Sequence, residues 1–532
     1  MRDIAAATAE GNYDLAARHA DAILVLGYQH PSAYYARALA FQQRRKFRDA
    51  LIELNKARQL APRDTTLSNA VGVCLINLNQ APEAIAAFDQ TIALDPGNAR
   101  AHSHKAWVLE MLDEREKATE AYERAIAIDP EFVDALAGLA AILAGEGKFE
   151  AAGQLARRAL AIDPAQPGAT TALGVIDLAN REYANAEHRF RNVLDGGRLA
   201  PNTRATVSGL LADALDGQER VDEAFAFYKL KNETLHQIYA AGVTEGRRPR
   251  QVTERICAFV AASSGEDWKR ESSVDAGRGP ARHHIFLIGF LRSGTTLLEQ
   301  VLATHPDVAA LEEKDVLAGA AQSFLCADAG LRSLIDLGDA ELESLRNAYW
   351  QRVRELGPRI EGKTFVDKLP LNTMKLPLIA KLFPHARILF ALRDPRDVIL
   401  SCFRRHFEIN AAAFEFLNLE DCASLYDSVM RLAQACREKL PLDVHVHRYE
   451  DMVDDFDKTV REICQFIGVE WTESLRNFSQ TKVLRVFTPS GPQIRRPLNA
   501  DSIGRWRAYR THLAPVLPRL APWVAQFGYQ KD

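Results

Sequence analysis

Cysteine is sparse and unpatterned in this chain of 532 residues. The seven cysteines (Cys74, Cys257, Cys326, Cys402, Cys422, Cys436 and Cys464) are odd in number, and none falls in C-x-x-C spacing. That argues against a disulfide scaffold and against zinc, and no metal site is expected. No apolar run reaches the roughly 18 residues of a membrane span, and residues 1–20 lack the basic start and apolar core of a secretory signal. A dominant charge is also missing. Lys plus Arg number 66 and Asp plus Glu 70, a formal net charge of −4, which gives no reason to expect a nucleic-acid partner. The absences together predict a reduced cytoplasmic setting away from membrane. A chain this long should hold two or more domains with large cores.

What the first half does have is a period. Pro31, Pro62, Pro96, Pro130 and Pro164 recur at close to ~34 residues, and small residues recur in pairs between them: Ala38 and Ala50, Gly72 and Ala84, Ala106 and Ala118, Ala140 and Ala152, Gly174 and Ala186. An aromatic follows four residues after the second member in Phe88, Tyr122 and Phe190. The pattern resembles the tetratricopeptide repeat, a helical hairpin that stacks into a superhelix with a concave face. Five regular repeats are expected, flanked by a truncated one before Pro31 and an irregular one from Ala205 to Lys231. Such a groove suits an extended peptide or protein partner. A packing scaffold or self-association surface fits the repeat equally, and a homo-oligomer is compatible with the sequence.

Residues 232–262 read as further helix. Residues 263–279 are polar and rich in Gly and Ser, which reads as a linker. From His283 the texture alternates between strand and helix. Strands are expected at 285–288, 364–368, 386–392 and 443–449, with helices at 374–382, 395–405, much of 411–439, and 456–467. The alternation predicts an α/β domain with a mostly parallel sheet, whose ligands bind at the carboxyl ends of the strands. The expected domains are 1–262 (repeats), 263–282 (linker) and 283–532 (α/β).

The first such end is HHIFLIGFLRSGTT. Strand, glycine-bounded loop and helix N-terminus gather unpaired N–H groups and a favourable dipole around an anion. Gly289 and Gly294 have the spacing of a nucleotide P-loop, but Thr295 stands where the lysine would be, and the loop's cation is Arg292. At the end of the later strand come Arg393, Asp394 and Pro395. Asp394 can cap and Pro395 can open the next helix, on which Ser401 and Arg405 share a face. Two arginines and a hydroxyl suit a phosphate; taken alone, the segment reads rather as a helix cap with surface charge.

These motifs together resemble the sulfotransferases that use 3′-phosphoadenosine 5′-phosphosulfate (PAPS), and the tyrosylprotein branch above all. The resemblance implies an all-α tetratricopeptide superhelix followed by an α/β, P-loop-like sulfotransferase domain. A repeat array fused to such a domain is a recognisable bacterial arrangement. It implies that Arg292, Ser293, Gly294, Thr295 and Thr296 hold the 5′-phosphosulfate, and that Arg393, Ser401 and Arg405 hold the 3′-phosphate. Tyr449 matches the family's tyrosine near the nucleotide. Gln493, Arg496, Pro497, Asn499 and Arg505 are similar to its late loop, with Trp506 after them. The catalytic set implied is Glu313 as general base, with Lys368, Ser490 and Arg292 stabilising the transferring and leaving groups. Transfer would be direct and in line, without metal, releasing 3′-phosphoadenosine 5′-phosphate.

Without that context, Glu312 and Glu313 read as a solvated helix start. His445 and His447 read as ordinary polar strand residues, His283 and His284 as an exposed strand entry, and the aromatics of 403–416 as core. Two positions depart from the animal enzymes. Ala310 stands at their cysteine, and Lys314 and Asp315 followed by the apolar run 316–321 stand where their acidic-peptide arginines lie. The leading expectation is sulfonate transfer to a protein or peptide tyrosine presented by the repeats. A carbohydrate, lipid or small-phenol acceptor, or a non-catalytic nucleotide-binding scaffold, are the alternatives.

Overall fold

The structure, a computed structural model, describes residues 1–197, 199–243, 248–268, 279–478 and 502–530. It divides into two compact units, Met1–Arg198 and Leu199–Asp532. The division falls inside the stretch that reads as repeats.

The first unit is a stack of antiparallel helical hairpins. The regular ones pair Pro31–Gln43 with Phe47–Leu60, Thr65–Asn77 with Ala81–Leu94, Ala99–Met111 with Arg115–Ile128, Val133–Gly145 with Phe149–Ile162, and Pro167–Ala179 with Tyr183–Asp195. The short pair Arg2–Ala9 and Tyr13–Val25 precedes them. The turn inside each hairpin needs one residue with positive φ. That residue is Gly11, Arg45, Asn79, Asp113, Gly147 or Arg181, a constant step of 34. The small positions admit aromatic rings. A Cβ on Gly72 would lie 2.4 Å from the Phe88 ring, one on Gly138 2.4 Å from Tyr122, and one on Gly174 2.5 Å from Phe190. Side-chain interlock of this kind is what fixes the hairpin spacing.

The second unit opens with a seventh hairpin, Pro201–Gly217 and Val221–Tyr239. Its first helix has 17 residues where the regular ones have 13, so its positive-φ residue slips to Glu219. That extra turn is the irregularity the sequence displays. The helix expected through 232–262 is broken: it ends at Tyr239, and a new helix, Pro249–Ala262, opens on a proline that cannot continue the old one. Trp268, in the stretch that reads as linker, is buried and donates to Ser263 Oγ at 2.7 Å.

The sheet has five parallel strands: β1 (His283–Gly289), β2 (Val308–Glu312), β3 (Thr364–Lys368), β4 (Arg387–Leu392) and β5 (Asp443–Arg448). Their order is β2-β3-β1-β4-β5. The edge strand β2 is one that the sequence pattern does not disclose. Ile285 and Leu287 of β1 face a core with Val366, Leu389, Leu298, Val301 and Ile463, while Phe286 faces the opposite side. Burial on both faces explains the continuous apolar runs of β1 and β4. His284 is not an exposed entry. It lies among the rings of Phe286, Trp350, Phe365 and Phe383, 4.4 to 5.6 Å away, and burial lowers its pKa to about 3. The helix expected at 374–382 starts with a 3-10 turn, Pro370–Lys375, before Leu376–Leu382.

Among the described residues no helix is long and apolar enough to cross a membrane, and no three His, Cys, Asp or Glu side chains are arranged to hold a metal ion.

Candidate functional site

Every strand ends in a charged or glycine-rich segment at one edge of the sheet, β5 running from Arg448 directly into Tyr449 and Glu450. The chain passes from β1 to one side (β3 and β2) and then to the other (β4 and β5), so the switch point lies between β1 and β4. There the loop 290–294 turns sharply. Gly289 has φ of +155° and sits against the carbonyl of Ala391, where a Cβ would approach to 2.5 Å. Thr373 ties the turn from below: its hydroxyl donates to Gly289 O at 2.7 Å and accepts from Gly289 N at 3.1 Å. Arg292 adopts φ of +68° and Gly294 φ of +90°. Gly294 caps the helix Thr295–Ala303, whose first residues Thr295 and Thr296 are buried. That helix start is where the free N–H groups and positive dipole end lie.

The helix Pro395–Arg404 begins as its sequence predicts, with Asp394 accepting from Arg396 N at 2.9 Å and Pro395 in its first turn. It carries Ser401 to the loop, where Arg292 Nε donates to Ser401 Oγ at 3.0 Å. Arg393, just before it, donates to Arg292 O at 3.2 Å and to the carbonyl of Ser502. Its guanidinium lies 5.1 Å from the centre of the Tyr449 ring, and Tyr449 Oη is 3.3 Å from Ser502 Oγ. Arg292, Arg393 and Arg405 therefore share one small region. Burial, and then the charges of Arg405 and Arg393, draw the Arg292 pKa down to about 9. Arg393 Nε is buried without a hydrogen-bond partner among the described residues. Like charges packed this way, with a donor left over, fit a multiply charged anion.

A second cluster stands at the ends of β2 and β3, where Glu312 pairs in register with Lys368. Lys368 is fully buried. Its ammonium is 2.8 Å from Glu313 Oε1, 3.0 Å from Glu299 Oε2 and 3.9 Å from Glu312 Oε1. Burial alone would discharge it, but the three carboxylates outweigh that and hold its pKa above the ordinary value. Glu299 is raised to about 7 by burial, with Lys368 opposing. Glu313 takes φ of +40°, and its N–H donates to Lys368 O at 2.8 Å, so the backbone fixes where its carboxylate starts. The pair ends a strand and does not open a solvated helix, which replaces that reading of Glu312 and Glu313. Glu313 also contributes to the electrostatics of Arg292, which links the two clusters.

Sequence reasoning missed three residues here. Glu299 lies four residues after Thr295, on the same helical face, so the apolar context of LLEQVL was the available signal. Asp397 accepts from Gly504 N at 2.6 Å and Trp506 N at 2.8 Å, and so anchors the segment that follows the late loop. Asp216 takes Arg505 at 2.6 Å. Arg505 is thus turned to Asp216, whereas Arg292, Arg393 and Arg405 gather at the loop. Ser490, Gln493, Arg496, Pro497 and Asn499 lie outside the described residues. His447 is buried with its pKa lowered to about 3, and His445 stacks on Phe466 at 5.2 Å. Phe403, Phe414 and Phe416 are buried in the core.

Comparison with known proteins agrees with this architecture. Residues 284–473 match the sulfotransferase family, and residues 72–130 and 112–167 match the tetratricopeptide repeat. An uncharacterized protein of Aquifex aeolicus (strain VF5) is 24% identical over 352 residues, 64% of this chain and 44% of that protein. Protein-tyrosine sulfotransferase 1 of Danio rerio is 25% identical over 263 residues, 46% of this chain and 72% of that protein. The solved structure of PilW, a type IV pilus biogenesis factor, covers 40% of this chain and 95% of its own, at 18% identity and a TM-score of 0.33. The chain thus spans less than half the length of the Aquifex relative. The chain joins an N-terminal tetratricopeptide array to a domain of the sulfotransferase family.

Proposed function

We propose that the chain transfers a sulfonate group from PAPS to a hydroxyl acceptor, a tyrosine of a protein or peptide, and releases 3′-phosphoadenosine 5′-phosphate. The observation that carries this reading is the gathering of Arg292, Arg393 and Ser401 on the glycine-bounded loop, within electrostatic reach of Glu313. The similarity to protein-tyrosine sulfotransferase 1 of Danio rerio supports the acceptor. Bound PAPS would supply a sulfonate whose bond to the 5′-phosphate breaks as the bond to the acceptor oxygen forms.

The chain's own residues then have separable tasks. Arg292, Ser293, Gly294, Thr295 and Thr296 hold the 5′ end through side-chain charge and helix N–H groups; Arg393, Ser401 and Arg405 hold the 3′-phosphate. Tyr449 serves the nucleotide, and the family resemblance assigns Gln493, Arg496, Pro497, Asn499 and Arg505 to it as well, Arg505 being held by Asp216. A phenol titrates near ~10, so its oxygen attacks poorly until a base takes the proton, and Glu313 is that base. Lys368 and Ser490 stabilise charge on the leaving oxygen, as fixed donors do in a site closed to water. The repeat groove presents the acceptor.

Calorimetry with 3′-phosphoadenosine 5′-phosphate tests the donor. Arg393→Ala should weaken binding by roughly 10- to 150-fold, the worth of a hydrogen bond to a charged group. No binding by the unaltered chain would sink the proposal. Labelled PAPS offered to a lysate, with products sorted into protein and small-molecule fractions, tests the acceptor. Glu313→Gln should abolish transfer with nucleotide affinity kept within about twofold; transfer that survives would remove Glu313 as base.

A further inference from the structure

Lys231, midway along Val221–Tyr239, has no exposed surface. Its ammonium donates to three consecutive carbonyls, those of Phe403 at 3.3 Å, Arg404 at 2.8 Å and Arg405 at 3.0 Å. Asn232 Nδ2 donates to Phe403 O as well, at 3.0 Å. The first two carbonyls belong to the last turn of Pro395–Arg404 and the third to its C-cap, where the helix leaves its acceptors unsatisfied and its dipole is negative. The facing helix makes room for the lysine stem: a Cβ on Gly209 would come within 2.9 Å of Lys231 Cδ. Burial draws the ammonium down to about 7, with Asp213 opposing and Arg405 and Arg404 adding to the fall. The same hairpin supplies Asp216, which ion-pairs with both Arg404 and Arg505 and accepts from Tyr509 Oη at 2.5 Å. Phe225 stacks on Phe403 at 5.4 Å.

A hairpin that only packed would bury apolar side chains. Burying a lysine costs several kcal/mol unless its partners satisfy it, and here each of its three hydrogen bonds goes to the backbone that holds Arg405. We infer that the hairpin 201–239 is a working part of the donor site, with Lys231 and Asp216 as positioning residues that act on nucleotide binding through Arg404, Arg405 and Arg505. This rests on the reading that Ser401 and Arg405 hold the donor's 3′-phosphate. Lys231 fixes the backbone from which Arg405 projects. Asp216 joins the end of that helix to the segment returning from the late loop, the segment whose Ser502 carbonyl accepts from Arg393.

The test is calorimetry on the full chain with 3′-phosphoadenosine 5′-phosphate. Lys231→Met should weaken binding at least tenfold. In an Arg405→Ala background the same change should cost twofold or less, because the residue it acts through is gone. Lys229→Ala, an exposed member of the same helix paired with Glu233, should leave affinity unaltered. Where Lys231→Met fails to fold, Asp216→Asn, which keeps size and shape, should still weaken binding at least threefold. Wild-type affinity in a folded Lys231→Met or Asp216→Asn chain overturns the inference alone. So does an equal loss in both backgrounds, which is what a general loosening would give. Absence of binding by the unaltered chain overturns the donor reading and this inference with it.

Discussion

Asp367 and Lys368 are neighbours on β3 and point to opposite faces of the sheet, so one strand buries two charges in different surroundings. Lys368 meets Glu299 and Glu313; Asp367 accepts from Tyr349 Oη at 2.7 Å, and Tyr349 in turn lies 2.9 Å from His284. Burial raises the Asp367 pKa to about 7, with the tyrosine hydrogen bond opposing. Its folded value exceeds the unfolded one, near ~4, so the folded state holds the extra proton between those limits. Stability should therefore be greatest below pH ~4 as far as this group is concerned, and fall as pH rises to about 7. Urea unfolding across pH 5 to 8 checks this: Asp367→Asn, which keeps the acceptor for Tyr349, should flatten the decline, and an unchanged slope would refute it. Glu299 has a different consequence. Removing its charge leaves Lys368 tied to Glu313 and, more distantly, Glu312, so Glu299→Gln should lower kcat by roughly 10- to 100-fold through misplacement, with donor affinity kept within about twofold.

Elements differed in how openly the sequence displayed them, and the reason is physical. The loop 289–296 was legible because two of its positions, Gly289 and Gly294, need glycine. At Gly294, with φ of +90°, a Cβ would meet Tyr449 Cδ2 at 2.6 Å. Gly294→Ala should cost on the order of 1–3 kcal/mol in strain and weaken nucleotide binding at least tenfold, checked by thermal unfolding beside calorimetry; wild-type affinity would show that the loop tolerates a side chain. The strands β1 and β4 were equally plain, being apolar on both faces. The edge strand β2 was hidden because two of the five residues of VAALE are alanine and it runs into a pair of glutamates, and only pairing with β3 makes it a strand. The side chains that gather at the loop, Arg292, Arg393, Ser401 and Tyr449, could be named from short motifs read through the family resemblance. Asp216 could not, because its contact with Arg505 spans 289 residues and no local pattern carries such a distance.

At the scale of the molecule, the repeat period and the compact units do not coincide. The six hairpins up to Asp195 lie in the first unit, where each packs on its neighbours and stability accumulates locally. The seventh keeps the helical texture but belongs to the second unit, where it contributes Asp216, Lys231 and Phe225 to the packing around the end of the helix Pro395–Arg404. The helix Pro249–Ala262 likewise packs in that unit, with Ile256 and Val260 buried. Texture thus reports what a segment is made of, and long-range contact decides which body it stabilises. A fragment of residues 199–532 should unfold in one cooperative transition and bind 3′-phosphoadenosine 5′-phosphate within about threefold of the full chain, since its buried charges keep their partners. A fragment of residues 283–532 would leave Arg404 and Phe403 without the groups that cover them, a buried ion pair broken on one side costing about 3–5 kcal/mol. It should bind a hydrophobic dye and lose nucleotide affinity by at least tenfold. Equal affinity in the two fragments would return the hairpin to the repeat array and leave the α/β domain to hold its donor unaided.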